Sequence, residues 1–143
     1  MHRVHHSDAA LDVTTAFRHH PLERSVALAW HGGVAVALGL VLAGLLLYGV
    51  AALLLSVPQH ADLRLPAPLD RLLAVLVATP AAHRVHHSAR PAETDSNYGE
   101  VLTLWDRLFG TWRSAETVRD LTPGLDDPDH ARLGAQLLSP FRR

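Results

Sequence analysis

The chain has 143 residues, with eleven histidines, no cysteine and a formal net charge of −1. That length suits one small domain; the lack of cysteine excludes disulfides and thiolate clusters, and the balanced charge gives no footprint for nucleic acid. Mean hydropathy is +0.10, high for a soluble domain, and the excess is concentrated in one run without charge between Arg24 and Asp62.

Residues 1–24 open with the hexapeptide His2-Arg3-Val4-His5-His6-Ser7. Positions i, i+3 and i+4 share one helix face, so His2, His5 and His6 can aim three imidazoles at one point. Ser7 and Asp8 are turn formers, and Pro21 suits the first turn of a following helix. His19 and His20 are neighbours and point different ways on regular structure; His19 reads as a surface or interfacial histidine.

Residues 25–57 are apolar throughout. One straight helix of that length would be about 50 Å, against a hydrocarbon core of roughly 30 Å. The run therefore predicts either one span of about 22 residues with an amphipathic lead-in, or two short helices folded back on each other. If His20 and His60 serve one site, the chain must leave and return between them. That favours a hairpin of 22–37 and 41–57, each arm barely long enough to cross. His31, beside Trp30 and a glycine pair, reads as an interfacial residue outside the site.

Pro58, Pro66 and Pro68 predict a non-helical connection at the membrane surface, with His60 in it. Residues 70–78 predict a short apolar helix in the interface or against the hairpin. Thr79 is an N-cap and Pro80 a first helical residue, which places a second copy of the hexapeptide, His83-Arg84-Val85-His86-His87-Ser88, in the opening turns of a helix. Val101, Leu104, Trp105 and Leu108 follow helical spacing. Tyr98, Trp105, Phe109 and Trp112 form an aromatic cluster suited to interface anchoring or to packing over a metal site. The tail from Ser114 is soluble in character, with a short helix from Pro128 to about Leu138 and an exposed His130.

Duplication of H-x-x-H-H points to metal. Imidazole suits zinc, copper, iron and nickel, and six of eleven histidines lie in the two copies. The expected fold is all-α: an integral membrane helical hairpin carrying a membrane-surface metal domain.

HRVHHS with LDVTTAFRHHPLE, then QHADLRLP, TPAAHRVHHS, ETDSNYG and LWDRLFGTWR together resemble the fatty acid hydroxylase/sterol desaturase family of membrane di-iron oxygenases. The likeness covers residues 2–113 in family order. It implies a family domain over 1–113 and a separate tail over 114–143. It implies metal ligation by His2, His5 and His6 (middle box), His83, His86 and His87 (last box), His60 and His20. Two irons are expected, with zinc as the alternative. The implied reaction is hydroxylation or desaturation of a lipid or sterol, with dioxygen and an external electron donor protein. The implied setting is a multi-pass membrane protein with its metal site on the cytoplasmic side. The family's first box, H-x(3–4)-H, is absent, and Asp62 stands where relatives often have Asn. These departures lead to the expectation of an N-terminally truncated chain with little or no activity. The rival readings are a membrane metal-binding or transport protein and an inactive remnant of the fold. A zinc hydrolase ranks below both, because neither box carries a carboxylate base.

Overall fold

The computed structural model describes residues 1–118, 120–125 and 132–141. Eight α-helices lie among them: α1 (Arg3–His6), α2 (Pro21–Ala37), α3 (Leu42–His60), α4 (Ala67–Leu73), α5 (Pro80–His86), α6 (Pro91–Thr94), α7 (Leu104–Phe109) and α8 (Leu133–Leu138). The described residues hold no β-strand, only isolated bridges pairing Val77 with Leu102 and Ser88 with Pro123.

Two helices dominate by length, and their boundaries follow local chemistry. Helix α2 starts at Pro21, whose fixed φ suits the first turn, after His20, which caps it by accepting from the Leu22 N–H. It stops at Gly39, which takes a left-handed φ of 63°. The tight link over 38–41 pairs its own amides, Leu38 to Val34 O, Gly39 to Val36 O and Leu40 to Ala35 O. Helix α3 then runs to His60. The sequence placed His60 in a non-helical connection, but the helix continues through Pro58, which lies in its last turn. The proline forgoes the bond its amide would have given Leu54 O, and the helix runs only two residues beyond it, where the His60 ring donates back to the Ser56 carbonyl at 2.7 Å.

Among the described residues, α3 is the one helix long and apolar enough to cross a membrane. Its side chains and those of α2 face outward. Leu28, Trp30, Val36, Leu42, Leu47 and Leu54 are all exposed. The buried set is the reverse: Val4, Ala35, Ala74, Ala78, Ala82 and Val85 are its apolar members, beside seven buried histidines. Polar groups fill the interior and apolar groups cover the outside, opposite to a water-soluble core.

The excursion through α2 and α3 starts and ends at the same place. The His19 ring, just before α2, stacks on His5 at 4.8 Å, and the His60 ring, at the end of α3, meets His5 edge-on at 4.9 Å. Midway, His31 meets Tyr48 at 5.6 Å, far along the helices from the cluster.

The apolar helix expected at 70–78 instead occupies Ala67–Leu73. Beyond it, the backbone is drawn into pairing with the segment before α7: Ala78 donates to Val101 O and Thr103 to Leu76 O. Tertiary pairing there outweighs the apolar pattern. Thr79 caps α5 as expected, accepting from Ala82 N at 3.2 Å. Helix α7 ends on Gly110 with a left-handed φ of 73°. The tail lies against the histidine-bearing part, with Ala89 donating to Thr122 O and Gly124 to His87 O. Helix α8 ends at Leu138 as expected; the predicted start at Pro128, and His130, lie outside the described residues.

Candidate metal centre

Short helices bring the two boxes together. In α1 and its first flank, His2, His5 and His6 face α5 and its C-cap, which carry His83, His86 and His87; His60 arrives from the end of α3. All but His2 are buried. The rings fall into two groups, His5, His60, His83 and His87, and His2, His6 and His86. Within each, the ligand atoms lie within 4.8 Å of one another. Each box is split between the groups, because adjacent histidines diverge along the helix.

The nitrogens that converge are all Nε2. His60 and His83 place theirs 2.9 Å apart, His5 and His60 3.1 Å, and His83 and His87 3.2 Å. In the second group His6 and His86 are 3.1 Å apart, and His2 and His86 3.4 Å. Two nitrogens each about 2.0–2.1 Å from one ion, at angles from octahedral to tetrahedral, are about 2.9–3.4 Å apart. The spacing fits neighbouring ligands of a metal.

Tautomers strengthen the fit. His5 Nδ1 donates to Arg18 O at 3.2 Å, His60 Nδ1 to Ser56 O at 2.7 Å, and His86 Nδ1 to Ser96 O at 2.9 Å. His2 Nδ1 donates to the Glu23 carboxylate at 2.6 Å. Thr94 spends its hydroxyl proton on His86 O, so its oxygen accepts from His6 Nδ1 at 3.5 Å. In a neutral ring, a proton on Nδ1 leaves a bare lone pair on Nε2. The facing Nε2 atoms of His5 and His60, and of His6 and His86, are then lone pairs opposed at 3.1 Å, an arrangement that a shared cation makes favourable. Such carbonyl and carboxylate partners are the usual means of orienting ligating histidines. His83 and His87 have buried Nδ1 atoms with no partner.

Electrostatics favour the neutral ligand form. Burial, then repulsion from the surrounding rings, pushes His5 down to about 2 and His6 to about 3. Burial comes first and the neighbouring rings second in holding His83 and His87 well below the ordinary histidine range. His86 is also lowered, chiefly by burial, against an opposing hydrogen bond to Ser96 O.

His20 is placed elsewhere. Its Nδ1 accepts from Leu22 N and its Nε2 donates to Leu137 O at 3.0 Å, so both ring nitrogens serve the backbone and neither faces the two groups. His19, expected as a surface or interfacial residue, is half-buried on His5 and joins His2 and Glu23 in a third group. Adjacency in sequence correctly implied that one of the pair would turn away; packing chose the other one.

Supporting residues were less visible. Asn97, at a left-handed φ of 51° that asparagine tolerates, donates to Ala82 O and Arg113 O and accepts from Arg113 N. Asp106, buried, accepts from Tyr98 N, Gly99 N and the Thr111 hydroxyl. Together they clamp the 96–99 turn whose Ser96 carbonyl orients His86. Arg84, inside the second box, holds the chain after α3 by donating to Ala61 O at 3.1 Å and pairing with Asp62 at 3.0 Å.

Fold and site define a helical protein with two adjacent groups of imidazoles that could hold metal, beside an exposed apolar helix pair. The chain belongs to the fatty acid hydroxylase family, whose sequence model matches residues 1–111. It is 31% identical over 143 residues to the ornithine lipid hydroxylase OlsE of Rhizobium tropici, covering 99% of this chain and 42% of that protein. Shorter likenesses reach the alkylglycerol monooxygenases of Danio rerio, 48% over 40 residues, and Homo sapiens, 43% over 42 residues. These cover 28% and 29% of this chain and 9% of each relative. The chain thus spans about two fifths or less of these relatives' length. No solved structure matches.

Proposed function

We propose that the chain carries the metal centre of a membrane lipid hydroxylase, an oxidoreductase that inserts oxygen into an unactivated C–H bond. The observation that carries this reading is the pair of imidazole groups, four and three strong, with Nε2 lone pairs opposed and Nδ1 protons held by backbone and carboxylate oxygens. The donor set suits two irons, with zinc as the alternative occupant. When bound, iron would supply reductive activation of dioxygen. His5, His60, His83 and His87 would hold one ion, and His2, His6 and His86 the other. An exogenous oxygen ligand would complete the coordination and balance charge that neutral imidazoles leave uncompensated. Burial of His5, His6, His83, His86 and His87 keeps those rings neutral and excludes bulk water. Electrons would come from an external donor protein.

The relatives named as lipid hydroxylase and monooxygenase support a lipid substrate and favour hydroxylation over desaturation. The exposed apolar pair supports membrane insertion. At about 1.5 Å per residue, α2 and α3 would measure about 26 and 28 Å, so a shallow hairpin that enters the bilayer from the cluster side is the natural reading. The link 38–41 is uncharged, whereas Arg3, Arg18, Arg24, Arg64 and Arg84 lie on the cluster side. That asymmetry favours a cytoplasmic metal site. Exposed Leu72, Leu76, Leu104, Trp105, Leu108 and Phe109 offer an apolar surface for the interface and for lateral lipid entry.

The test is iron-loaded protein in lipid nanodiscs, supplied with a reductase system and ¹⁸O₂. Labelled hydroxyl in the extracted lipid supports the reading. Stoichiometric metal binding with unlabelled lipid would favour a metal-binding role instead.

A further inference from the structure

The group formed by His2, His19 and Glu23 is not used by either set of buried imidazoles, apart from His2 itself. His19 donates from Nε2 to Ala16 O at 3.1 Å, so its Nδ1 carries a lone pair. That Nδ1 is buried, has no hydrogen-bond partner and lies 3.8 Å from Glu23 Oε1. Glu23 Oε2 is also buried without a partner. The Glu23 carboxylate thus carries one buried oxygen without a partner, and the His19 lone pair beside that carboxylate has no donor either, which is costly unless a cation joins the two side chains. On the other side, Glu23 Oε1 lies 2.6 Å from His2 Nδ1.

We propose that His2, His19 and Glu23 form a third metal site, taking a divalent transition-metal ion at the open edge of the cluster. His19 Nδ1 and the Glu23 carboxylate are the free donors; His2 joins them through Nδ1 by releasing to solvent the proton it gives Glu23, its ring then bridging to the three-ring group, and such a set, completed by water, holds ions less tightly than four buried imidazoles. Glu23 supplies the negative charge that the two buried groups lack. The position suits entry. Side-chain exposure is 49% for His2, 22% for Glu23 and 17% for His19, and His2 is the one exposed member of the seven converging rings. His2 also turns its other nitrogen, Nε2, toward His86 at 3.4 Å. An ion held at the edge is then one imidazole away from the three-ring group, and the third site acts as its entrance.

This inference rests on the reading of the buried groups as metal sites. The experiment is equilibrium dialysis of the full chain in detergent against graded Co²⁺, with metal counted per chain and the filling rate followed by cobalt absorption. Wild type is expected to take two ions tightly and a third at least tenfold more weakly. H19Q and E23Q should each lose the third ion, keep the first two and fill the three-ring group several-fold more slowly. Glutamine at position 23 keeps an oxygen for His2 Nδ1, so a mere orienting role would spare E23Q. An unchanged count in either variant overturns the site, and an unchanged filling rate overturns its role as entrance. A wild-type chain that binds no ion at all sinks the parent reading as well, whereas two ions without a third sinks only this one.

Discussion

The two imidazole groups share one pair of boxes yet differ in construction. His5, His60, His83 and His87 are all buried, come from three separate parts of the chain, and include one ring from the end of the long apolar helix. His2, His6 and His86 come from the boxes alone, and His2 is exposed. The first group is thus tied to the fold's main tertiary junction and the second to its edge. An H-x-x-H-H box is thus a distributor: its adjacent histidines fall in different groups, and in both copies the first histidine joins the last one, four positions on.

The largest effect should come from breaking the four-ring group. His87→Ala removes a fully buried ring and leaves a cavity among unpaired imidazoles. Loss of one tightly bound ion per chain and a clear fall in thermal midpoint are expected, by metal analysis and circular dichroism. His2→Ala should cost less, weakening one ion by at least about tenfold, since losing a ligand costs no less than losing a group that orients one, with little change in the metal-free fold. If the two variants were equally damaging, the distinction between junction and edge would be wrong.

Acidification comes next and should strike both groups. The folded-state values of His5, His6, His83, His86 and His87 all lie below the ordinary histidine value, so the unfolded chain binds more protons below about pH 6.5. Their neutral burial costs nothing extra above that pH. Stability is then lost as pH falls from about 6.5 toward about 3 and about 2, where His6 and His5 protonate within the fold. Metal should be released in the same direction, since protons compete for the same lone pairs. Melting curves between pH 8 and pH 5 check the sign; a midpoint that rises on acidification would contradict it.

The smallest effect should come from the supporting clamp. Asp106→Asn keeps the size but weakens acceptance from Tyr98 N and Gly99 N, loosening the turn that presents Ser96 O to His86. About tenfold weaker binding is expected in the three-ring group, with the four-ring group spared. Competition with a chelator in the His2→Ala background isolates that term, because both changes act on the same ion and should combine non-additively.

Much of this plan was legible in the sequence. The duplicated hexapeptide announced convergence, Pro21 and Thr79-Pro80 announced helix starts, and the uncharged run announced two helices with a break near residue 40. Three features were not legible, each for a physical reason. The split of each box depends on how α1 and α5 face each other, which spacing within one helix does not encode. The choice of His19 over His20 turned on the helix cap: His20 is spent on Leu22 N and Leu137 O. Pro58, Pro66 and Pro68 point to a connection that includes His60, yet α3 carries Pro58 within it and ends two residues later, the His60 ring donating to Ser56 O. The ETDSNYG and LWDRLFGTWR stretches carry the family likeness, while their work, holding Ser96 O through Asn97 and Asp106, arises only from the folded turn.

On the proposed function, the two imidazole groups hold one ion each. The direct measurement is metal content after gel filtration, which strips weakly held ions, for wild type, His87→Ala, His6→Ala and the double variant. The account predicts two ions for wild type, one for each single variant and none for the double. A single variant that loses both ions, or a double variant that keeps one, would show one shared site and contradict it.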